Sequence, residues 1–430
     1  MTGPAAASDA GPPPGAGAAS APRNVLVVSI DGLRHDYLDD AARAPTLRRL
    51  RDEGAAAKSL KSVWPTMTYP AHTTLITGAR PARHGIVNNV VFDPFNKNEH
   101  GWYWYASDVK VPALWDVARK GGLEVGNVYW PVTVGADIPY SVPQMWRAKT
   151  DEDDKLLRAL TTRGLLRSGK TPPAEHRGDR ERTDAALEII REHRPRLMFV
   201  YLTDLDTVEH ERGPMSAQAL TTLKGIDGYV GELMAAYGST PPTLALVSDH
   251  GFAPVSKEVR PNVALREKKL LTTAGTKLTS YKMVTWKAGA TAAIVPLDPK
   301  DAVSARTATE LFTRLAKDPA NGIARVLTNE ETAGTFAGKS AACVLLARPG
   351  FVFSESWEPP LIARSTYKGA HGYAPDTPDM GASLFFWGDG VRRGELGEVD
   401  MIDVAPTIAA LLDLELPEAD GKPLRAALVP

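Results

Sequence analysis

The sequence predicts an α/β protein built on a doubly wound, mostly parallel β-sheet, with a smaller cap subdomain inserted into it. Three apolar runs, at 24–30, 197–202 and 243–247, are typical of parallel strands that are buried on both faces. Such runs alternate with helical patterns through about residue 250, which is the rhythm of a doubly wound sheet. Because these sheets bind ligands beyond the carboxyl ends of their strands, we expect the functional side chains there.

Several helices are predicted from apolar residues at helical spacing that stop at a glycine. These predicted helices cover residues 47–53, 70–77 and 220–237. Near the carboxyl terminus the α/β pattern returns, with a strand at 383–387 and a helix at 404–412 that we expect Asp403 to cap.

The alternation loosens between residues 252 and 368, where we expect the inserted cap subdomain. A strand is predicted at 291–295 and a helix near 302–316. The catalytic domain is therefore expected to span residues 24–430 and to contain this insertion. No internal repeat of solenoid period is visible in the sequence.

The first 23 residues are mostly Ala, Gly and Pro, and they are predicted to form a disordered leader because they carry almost no large apolar side chains. They contain no apolar core flanked by basic residues, and no later stretch approaches the roughly 20 apolar residues of a membrane span. These features predict a soluble protein without a membrane span. It is cytoplasmic as the sequence stands, and periplasmic or secreted if a signal has been removed. The oligomeric state is left open.

The overall charge is nearly balanced, with 50 basic and 51 acidic residues. There is consequently no global field for a nucleic-acid duplex, and an anionic substrate must be attracted by a local charge. The single cysteine, Cys343, lies in the apolar stretch 341–347 and cannot form an internal disulfide. We expect it to be a buried structural thiol.

Side chains that could bind metal recur near the predicted strand ends and in short motifs. An Asp after a strand is often only a helix N-cap, but six such coincidences together favour one bimetallic site. Imidazole with carboxylate favours zinc over magnesium or calcium, and two such cations would outweigh three carboxylates and attract a phosphodiester anion. The six candidate ligands are Asp31, Asp206, His210, Asp249, His250 and His371.

Their spacing adds detail. Asp206 and His210 are four residues apart, so their side chains lie on the same face if the segment is helical. His371 could complete a three-ligand site with open coordination. The adjacent pair Asp249 and His250 suits a sharp turn after a strand.

Thr68 is the candidate nucleophile. Pro70 predicts that Thr68 lies at or just before a helix N-terminus, where free amide groups favour an alkoxide and a phosphate oxygen. Taken alone, Thr68 is simply a helix cap. As a nucleophile it needs either a metal that lowers its pKa or an adjacent base, and the nearby carboxylates favour the metal.

Ordered motifs from residue 24 to the carboxyl terminus resemble the nucleotide pyrophosphatase/phosphodiesterase branch of the alkaline phosphatase superfamily. The resemblance implies an alkaline phosphatase-like fold and a two-zinc phosphodiesterase that forms a phospho-threonine intermediate on Thr68. It places Asp206, His210 and His371 on one zinc. The motifs are Asp31-Gly32, the stretch 65–70, Thr77-Gly78, the stretch 84–87, Asp206 with His210 and Gly213-Pro214, the stretch 248–251, and the stretch 371–373.

The same resemblance assigns Asp31, Asp249 and His250, together with Thr68, to the second zinc. It implies that Asn89 donates to a nonbridging phosphate oxygen. Tyr69, beside the nucleophile, is expected to help form the slot for a nucleobase or leaving group. The implied substrate is a small phosphodiester, such as a nucleotide or a related molecule.

Three departures from the family pattern affect the substrate pocket but remove no metal ligand. They are Ala71 instead of asparagine, Val132-Thr133 instead of Gly-Ser, and Glu209 instead of glycine. The aromatic stretch 102–105 is expected to pack in the core or a loop, although one or two of its rings could stack on a nucleobase. The sequence lacks the cysteine-rich and nuclease-like domains of animal relatives, which predicts a single-module bacterial enzyme.

Two other functions stay open. A phosphomonoesterase of the same superfamily needs a basic residue near the transferred phosphoryl group, and the sequence shows no convincing one. A catalytically inactive metal-binding protein would keep the ligands without turnover. A sulfatase is disfavoured because its cysteine or serine is replaced by Thr68.

Overall fold

The computed structural model describes residues 23–97, 101–144, 155–165, 178–328, 330–332, 336 and 341–429. Apart from Arg23, the predicted leader lies outside the described residues. The strands are β1 (Val25–Ile30), β2 (Ala55–Ala56), β3 (Ser59–Lys61), β4 (Val125–Val128), β5 (Tyr140–Val142), β6 (Leu197–Leu202), β7 (Thr243–Val247), β8 (Ala253–Val259), β9 (Leu271–Ala274), β10 (Lys277–Tyr281), β11 (Met283–Ala288), β12 (Thr291–Pro296), β13 (Ile323–Leu327), β14 (Cys343–Ala347), β15 (Gly350–Phe353), β16 (Ile362–Arg364), β17 (Gly369–Ala370), β18 (Leu384–Trp387), β19 (Gly394–Glu395) and β20 (Glu398–Asp400).

Helices cover both faces of the main sheet and part of the second region. They are α1 (Pro45–Glu53), α2 (Thr68–Thr77), α3 (Pro81–His84), α4 (Leu114–Lys120), α5 (Lys155–Thr162), α6 (Asp179–His193), α7 (Asp204–Arg212), α8 (Ala217–Ala235), α9 (Pro261–Glu267), α10 (Ala302–Leu315) and α11 (Val404–Leu411). In the described part of the chain, no helix is both long and apolar enough to cross a membrane.

The central sheet has the strand order β19-β2-β18-β7-β1-β6-β4-β5. Its core is parallel, since β1 pairs in parallel with β6 and β7, and β4 with β5 and β6. Antiparallel β18 extends it beyond β7. This arrangement confirms the predicted doubly wound, mostly parallel sheet.

The three strands predicted from apolar runs lie side by side in the middle of this sheet, and every residue of β1, β6 and β7 is buried. Their registers align the carboxyl ends, with Ile30 beside Leu202 and Ser29 beside Val247. The residues that follow these strands therefore meet at one edge of the sheet.

The helix predictions are confirmed with small shifts at the ends. Helix α2 ends before Gly78, whose φ of 64° lets its amide bind Thr74 O at 2.8 Å. The expected cap at α11 is wrong in one respect. Asp403 is the N-cap residue, but its side chain does not cap the helix, because its Oδ1 accepts a hydrogen bond from Lys422 N at 2.8 Å.

A second region follows the β7 motif. Strands β11-β12-β14-β13 form an antiparallel sheet against which α10 packs, and β8 pairs with β15, β16 and β17. This region has its own apolar core, and Cys343 is buried in it as expected, with the pKa of the thiol raised to about 12 by burial. The division into a catalytic domain and an inserted cap stays a prediction.

The return of the chain from this region brings His371 to the site. Strand β17 runs antiparallel to the first residues of β8, so that Ala370 lies opposite Ala253. His371 is consequently placed next to the turn that follows β7, although more than a hundred residues separate the two segments.

Candidate metal centre

One cluster of possible metal ligands lies directly beyond β1 and β7. Asp31 ends β1, and Asp249 and His250 form the turn after β7. His250 Nε2 lies 3.4 Å from Asp31 Oδ1 and 3.1 Å from Asp249 Oδ2. One ligand atom of each residue lies within 4.8 Å of the others. We call these three residues the inner ligand group.

The outer ligand group consists of Asp206, His210 and His371. Asp206 and His210 lie four residues apart in α7, and the predicted helical spacing therefore does place them together. Asp206 Oδ1 is 3.7 Å from His210 Nε2 and 3.8 Å from His371 Nε2. His250 connects the two groups, because its ring stacks on that of His371 with centroids 3.7 Å apart.

All three histidines are held with Nε2 toward the centre. The Nδ1 atoms of His210, His250 and His371 bond to the backbone carbonyls of Gly369, Gly251 and Thr66, at 3.0, 3.1 and 2.8 Å. A carbonyl only accepts hydrogen bonds, so Nδ1 carries the proton and Nε2 keeps its lone pair. A metal-binding histidine is usually fixed in this way.

Burial makes these histidines neutral. It lowers the pKa of His210 to about 4, and burial together with neighbouring His210 lowers the pKa of His371 to about 3. Burial, reinforced by His371, holds the pKa of His250 well below its usual value. A neutral imidazole is the form that binds metal.

The buried carboxylates of the inner group repel one another, and the guanidinium of Arg182 offsets the charge of Asp31 only in part. Burial, with repulsion from Asp206, raises the pKa of Asp31, and burial with repulsion from Asp31 raises that of Asp249. Asp31 Oδ1 and Asp249 Oδ2 are buried and have no hydrogen-bond donor in the part of the chain that the structure describes. Because buried carboxylates need a counter-charge, the donor set fits a bound cation.

Thr68 is the first residue of α2, in agreement with the predicted position at a helix N-terminus. Its Oγ1 lies 3.5 Å from His250 Nε2 and therefore beside the inner group. His72, one turn along, bonds through Nδ1 to Thr68 O at 2.8 Å and through Nε2 to Ser29 Oγ at 2.8 Å. Helix α2 is thus fastened to the end of β1 beneath the threonine.

A cavity of about 400 Å³ opens over both ligand groups. It reaches the outer group, Asp31 and Thr68, whereas Asp249 and His250 are buried beneath its floor. Other described residues that line it are Tyr69, Asn89, Trp102, Trp104, Gln144, Arg182, Tyr201, Thr203, Thr207, Glu211 and Tyr367.

Asn89 and Tyr69 lie where a substrate in this cavity would touch them. Asn89 Oδ1 accepts the Tyr69 amide at 2.9 Å, which fixes the orientation of the side-chain amide. The Tyr69 ring lies 5.1 Å from the ring of Trp102, and Trp102 stacks on Trp104 at 5.7 Å. Both tryptophans line the cavity, which agrees better with the open alternative of stacking on a base than with the favoured expectation of core or loop packing. The roles of Asn89 and Tyr69 stay predictions.

Sequence reasoning missed a buried cation in this cavity. Arg182 is 1% exposed, donates to Tyr201 O at 3.1 Å and stacks over the ring of Tyr129. The sequence did carry a signal for this buried cation. Arg182 lies at helical spacing in the stripe of α6 that is buried and continues with Ala185, Ala186, Ile189 and Ile190. A charged residue in an apolar stripe indicates a buried partner.

Tyr201 was also missed. It is nearly the last residue of β6, and its hydroxyl donates to Asp31 Oδ2. The contact leaves Asp31 Oδ1 as the oxygen directed at His250. A tyrosine in a fully buried strand needs a partner for its hydroxyl, which was the available signal.

Two departures from the family pattern have structural consequences. Glu209 is buried, accepts a hydrogen bond from Tyr37 Oη at 2.5 Å, and approaches Gly32, whose replacement by a larger residue would place Cβ 2.7 Å from Glu209 Oε2. Val132 has φ of 59°, a conformation that costs a β-branched residue energy and glycine none. It packs with Tyr69 at the edge of the cavity.

A doubly wound sheet that carries imidazole and carboxylate groups at its carboxyl edge defines a class of metal-dependent α/β proteins. Within this class, the chain belongs to the Type I phosphodiesterase / nucleotide pyrophosphatase family, whose family model matches residues 25–374. The chain is 26% identical over 245 residues to human ectonucleotide pyrophosphatase/phosphodiesterase family member 1, covering 53% of this chain and 23% of the relative. For rat family member 7 the values are 26% over 245 residues, with 54% and 51% covered. The matched region is thus 23% of the first relative and 51% of the second.

Solved structures show the same fold. Human ectonucleotide pyrophosphatase/phosphodiesterase 5 superposes with a TM-score of 0.70 at 22% identity, covering 93% of this chain and 97% of that chain. An inactive threonine-to-alanine variant of the murine protein, in complex with AMP, gives 0.69 at 22% identity and covers 95% and 100%. These likenesses confirm the predicted alkaline phosphatase-like fold.

Proposed function

We propose that this protein is a two-zinc phosphodiesterase or nucleotide pyrophosphatase that cleaves phosphodiester or phosphoanhydride bonds through a phospho-threonine on Thr68. The observation that carries the proposal is the convergence of both ligand groups and Thr68 on one cavity. Three imidazoles with free Nε2 atoms and three carboxylates suit zinc better than magnesium or calcium. Family membership supports phosphodiester hydrolysis.

When bound, two zinc ions would lower the pKa of the Thr68 hydroxyl and neutralise charge on the phosphoryl oxygens. The inner group, with Thr68, would hold one ion, and the outer group would hold the other. His72 holds the start of α2 so that Thr68 Oγ1 stays beside His250. At the N-terminus of α2 the Tyr69 amide donates to Asn89 Oδ1, Pro70 has no amide hydrogen and the Ala71 amide binds Met67 O, so this helix end orients Asn89 toward the substrate.

The reaction has two displacements. Thr68 Oγ1 forms a bond to phosphorus while the bond to the leaving oxygen breaks, and the threonine proton leaves to solvent. Water then displaces Thr68 and restores its hydroxyl. The side-chain amide of Asn89, fixed by the Tyr69 amide, donates to a nonbridging oxygen.

The substrate we propose is a nucleotide or a related small diester. The rings of Tyr69, Trp102 and Trp104 form an apolar wall of the cavity on which a planar base can stack. The complex of the murine relative with AMP supports a nucleotide.

A phosphomonoesterase is the second candidate, and Arg182 favours it. A monoester carries one more negative charge than a diester at the reacting phosphoryl group, and a buried guanidinium in the cavity can offset that charge. Arg182 already donates to Tyr201 O and stacks on two tyrosines, which favours a structural role and keeps the diesterase as our main proposal.

Hydrolysis of bis-p-nitrophenyl phosphate by zinc-loaded protein tests the proposal. We expect turnover that falls at least about a thousandfold in Thr68→Ala, because the nucleophile is lost while Asp31, Asp249 and His250 still hold the ion beside it. Thr73→Ala, one turn further along α2, is the matched control. Metal content measured in parallel should be equal in all three proteins.

Two other results would favour the alternative functions. Full metal content without turnover by the wild type would identify an inactive metal-binding protein. A rate on p-nitrophenyl phosphate far above that on the diester would favour the phosphomonoesterase.

A further inference from the structure

A second cavity, of about 550 Å³, lies on the other side of the segment that carries Asn89. Val90 forms a β-bridge with Trp102, and Val90 lines this second cavity whereas Trp102 lines the candidate active site. The opposite wall is the edge strand β11 with residues around Glu355. The two cavities are therefore separate but share a wall.

The second cavity is aromatic and acidic. Phe92, Trp286 and Trp357 contribute rings to its lining, and Asp93, Glu355 and Glu358 contribute carboxylates. No lysine, arginine or histidine lines it among the residues that the structure describes. Lys287 is adjacent in sequence to Trp286 and binds Glu355 through its backbone amide, but it is not part of the lining.

Polar groups in the wall are held in place. Asn262 donates to Glu355 O at 2.6 Å and accepts the Thr285 amide at 3.0 Å, so it connects Glu355 to β11. Glu355 Oε1 accepts the Lys287 amide at 2.9 Å. The position of the Glu355 carboxylate is thus fixed before any ligand arrives, which lowers the entropy cost of binding.

Two buried polar atoms of this wall have no hydrogen-bond partner among the described residues: Thr285 Oγ1, which can accept, and Trp286 Nε1, which can only donate. Thr285 is 3% exposed and lines the cavity, and its Oγ1 has no hydrogen bond among the described residues. A buried hydroxyl without a partner costs free energy. Burial also raises the pKa of Glu355, and the charge of nearby Lys287 offsets this shift only in part. Thr285 Oγ1 and the Glu355 carboxylate both accept hydrogen bonds and would be satisfied by a cationic donor.

We propose that this cavity binds a small organic ammonium ion, with the ammonium at Glu355 and Thr285 and the apolar body against Trp357 and Phe92. A carboxylate and aromatic ring faces both attract an ammonium group, and no basic side chain among the described lining residues would attract an anion. This site goes beyond the proposed function, since it does not use Thr68 or either ligand group.

Calorimetric titration of the zinc-loaded protein tests the site directly. The probe is 2-phenylethylamine, which is cationic at neutral pH, and the control is 2-phenylethanol, which has nearly the same shape without charge. We expect saturable binding of the amine that is at least tenfold tighter than that of the alcohol. Equal affinities, or no saturable binding of the amine, would overturn the proposal.

Three variants locate the binding. Glu355→Gln retains the oxygen that accepts the Lys287 amide, and Trp357→Ala changes a half-buried ring, so both should fold, with unfolding midpoints as the check. Each should weaken the amine at least tenfold, whereas Trp102→Ala, in the candidate active site, should leave its affinity unchanged. If only Trp102→Ala weakens binding, the amine occupies the candidate active site and the proposal is wrong.

Discussion

The two ligand groups differ in how deeply they are buried. The side chains of Asp249 and His250 are 0% exposed and that of Asp31 is 3% exposed, whereas those of Asp206, His210 and His371 are 17%, 23% and 7% exposed. The inner group follows the aligned ends of β1 and β7, and the outer group comes from α7 and from the strand that returns from the second region. One group belongs to the core of the fold and the other faces the cavity.

The difference in burial predicts different roles for the two groups in stability and in metal binding. Carboxylates that are buried without a counter-charge destabilise the metal-free protein, and a bound cation removes that penalty. Side chains that stay partly exposed keep more of their hydration, so they destabilise the metal-free protein less. A metal ion bound to them also exchanges more readily. The inner group should therefore govern stability, and the outer group should govern metal occupancy and access of substrate.

The largest expected effect is on activity when the outer group loses a ligand. His371→Ala should reduce the zinc content from about two ions to about one and reduce diester turnover at least about a thousandfold, because one ion can no longer stabilise both oxygens in the displacement. Metal analysis after gel filtration and the rate on bis-p-nitrophenyl phosphate measure these effects. His35→Ala, at a histidine outside both groups, is the control. Two retained ions in His371→Ala would contradict the assignment.

A smaller effect is expected on the stability of the metal-free protein. Asp249→Asn removes a buried charge but keeps an oxygen for the Gly32 amide, so we expect stabilisation of about 1–3 kcal/mol. Asp206→Asn, in the more exposed group, should change the free energy of unfolding by less than about 1 kcal/mol. Urea denaturation in the presence of chelator measures both. Equal effects of the two substitutions would remove the energetic distinction between the groups.

The smallest expected effect depends on pH and concerns His72. Burial lowers its pKa from 6.5 to about 3, so its contribution to stability is fully present above pH 6.5 and is lost as the pH falls toward 3. The destabilisation caused by His72→Gln should therefore be smaller at pH 5.5 than at pH 7.5, by about 1.4 kcal/mol.

Denaturation of the metal-free wild type and of this variant at both pH values tests the expectation. The raised pKa values of Asp31 and Asp249 make each protein more stable as the pH falls, which is opposite to the effect of His72. Because both proteins carry these two residues, we compare the difference in their free energies of unfolding. A difference that does not change with pH would show that His72 is not held in its neutral form.

The convergence of Asp31, Asp249 and His250 could be predicted because these residues follow strands with unbroken apolar runs, and their role as metal ligands stays a prediction. The ends of β1 and β7 could be read from those runs, and parallel topology brings such ends together. The helical spacing of Asp206 and His210 was equally readable. Local pattern determines these positions, and the structure agrees with them.

What could not be predicted depends on contacts between distant segments. Nothing in the local sequence indicates that β17 pairs with β8 and carries His371 to the site. The contact of Tyr201 with Asp31 and the entry of Arg182 into the cavity also require tertiary packing. The side chain of Asp403 binds Lys422 N instead of capping α11, because a distant segment passes within reach.

The central claim is that two zinc ions lie beside Thr68, each on its own ligand group. A crystal structure of the zinc-loaded protein with anomalous scattering recorded on both sides of the zinc edge tests it most directly. We predict two peaks about 4 Å apart. One should be bounded by Asp31, Asp249 and His250 and the other by Asp206, His210 and His371. A single peak, or peaks away from Thr68, would contradict the account.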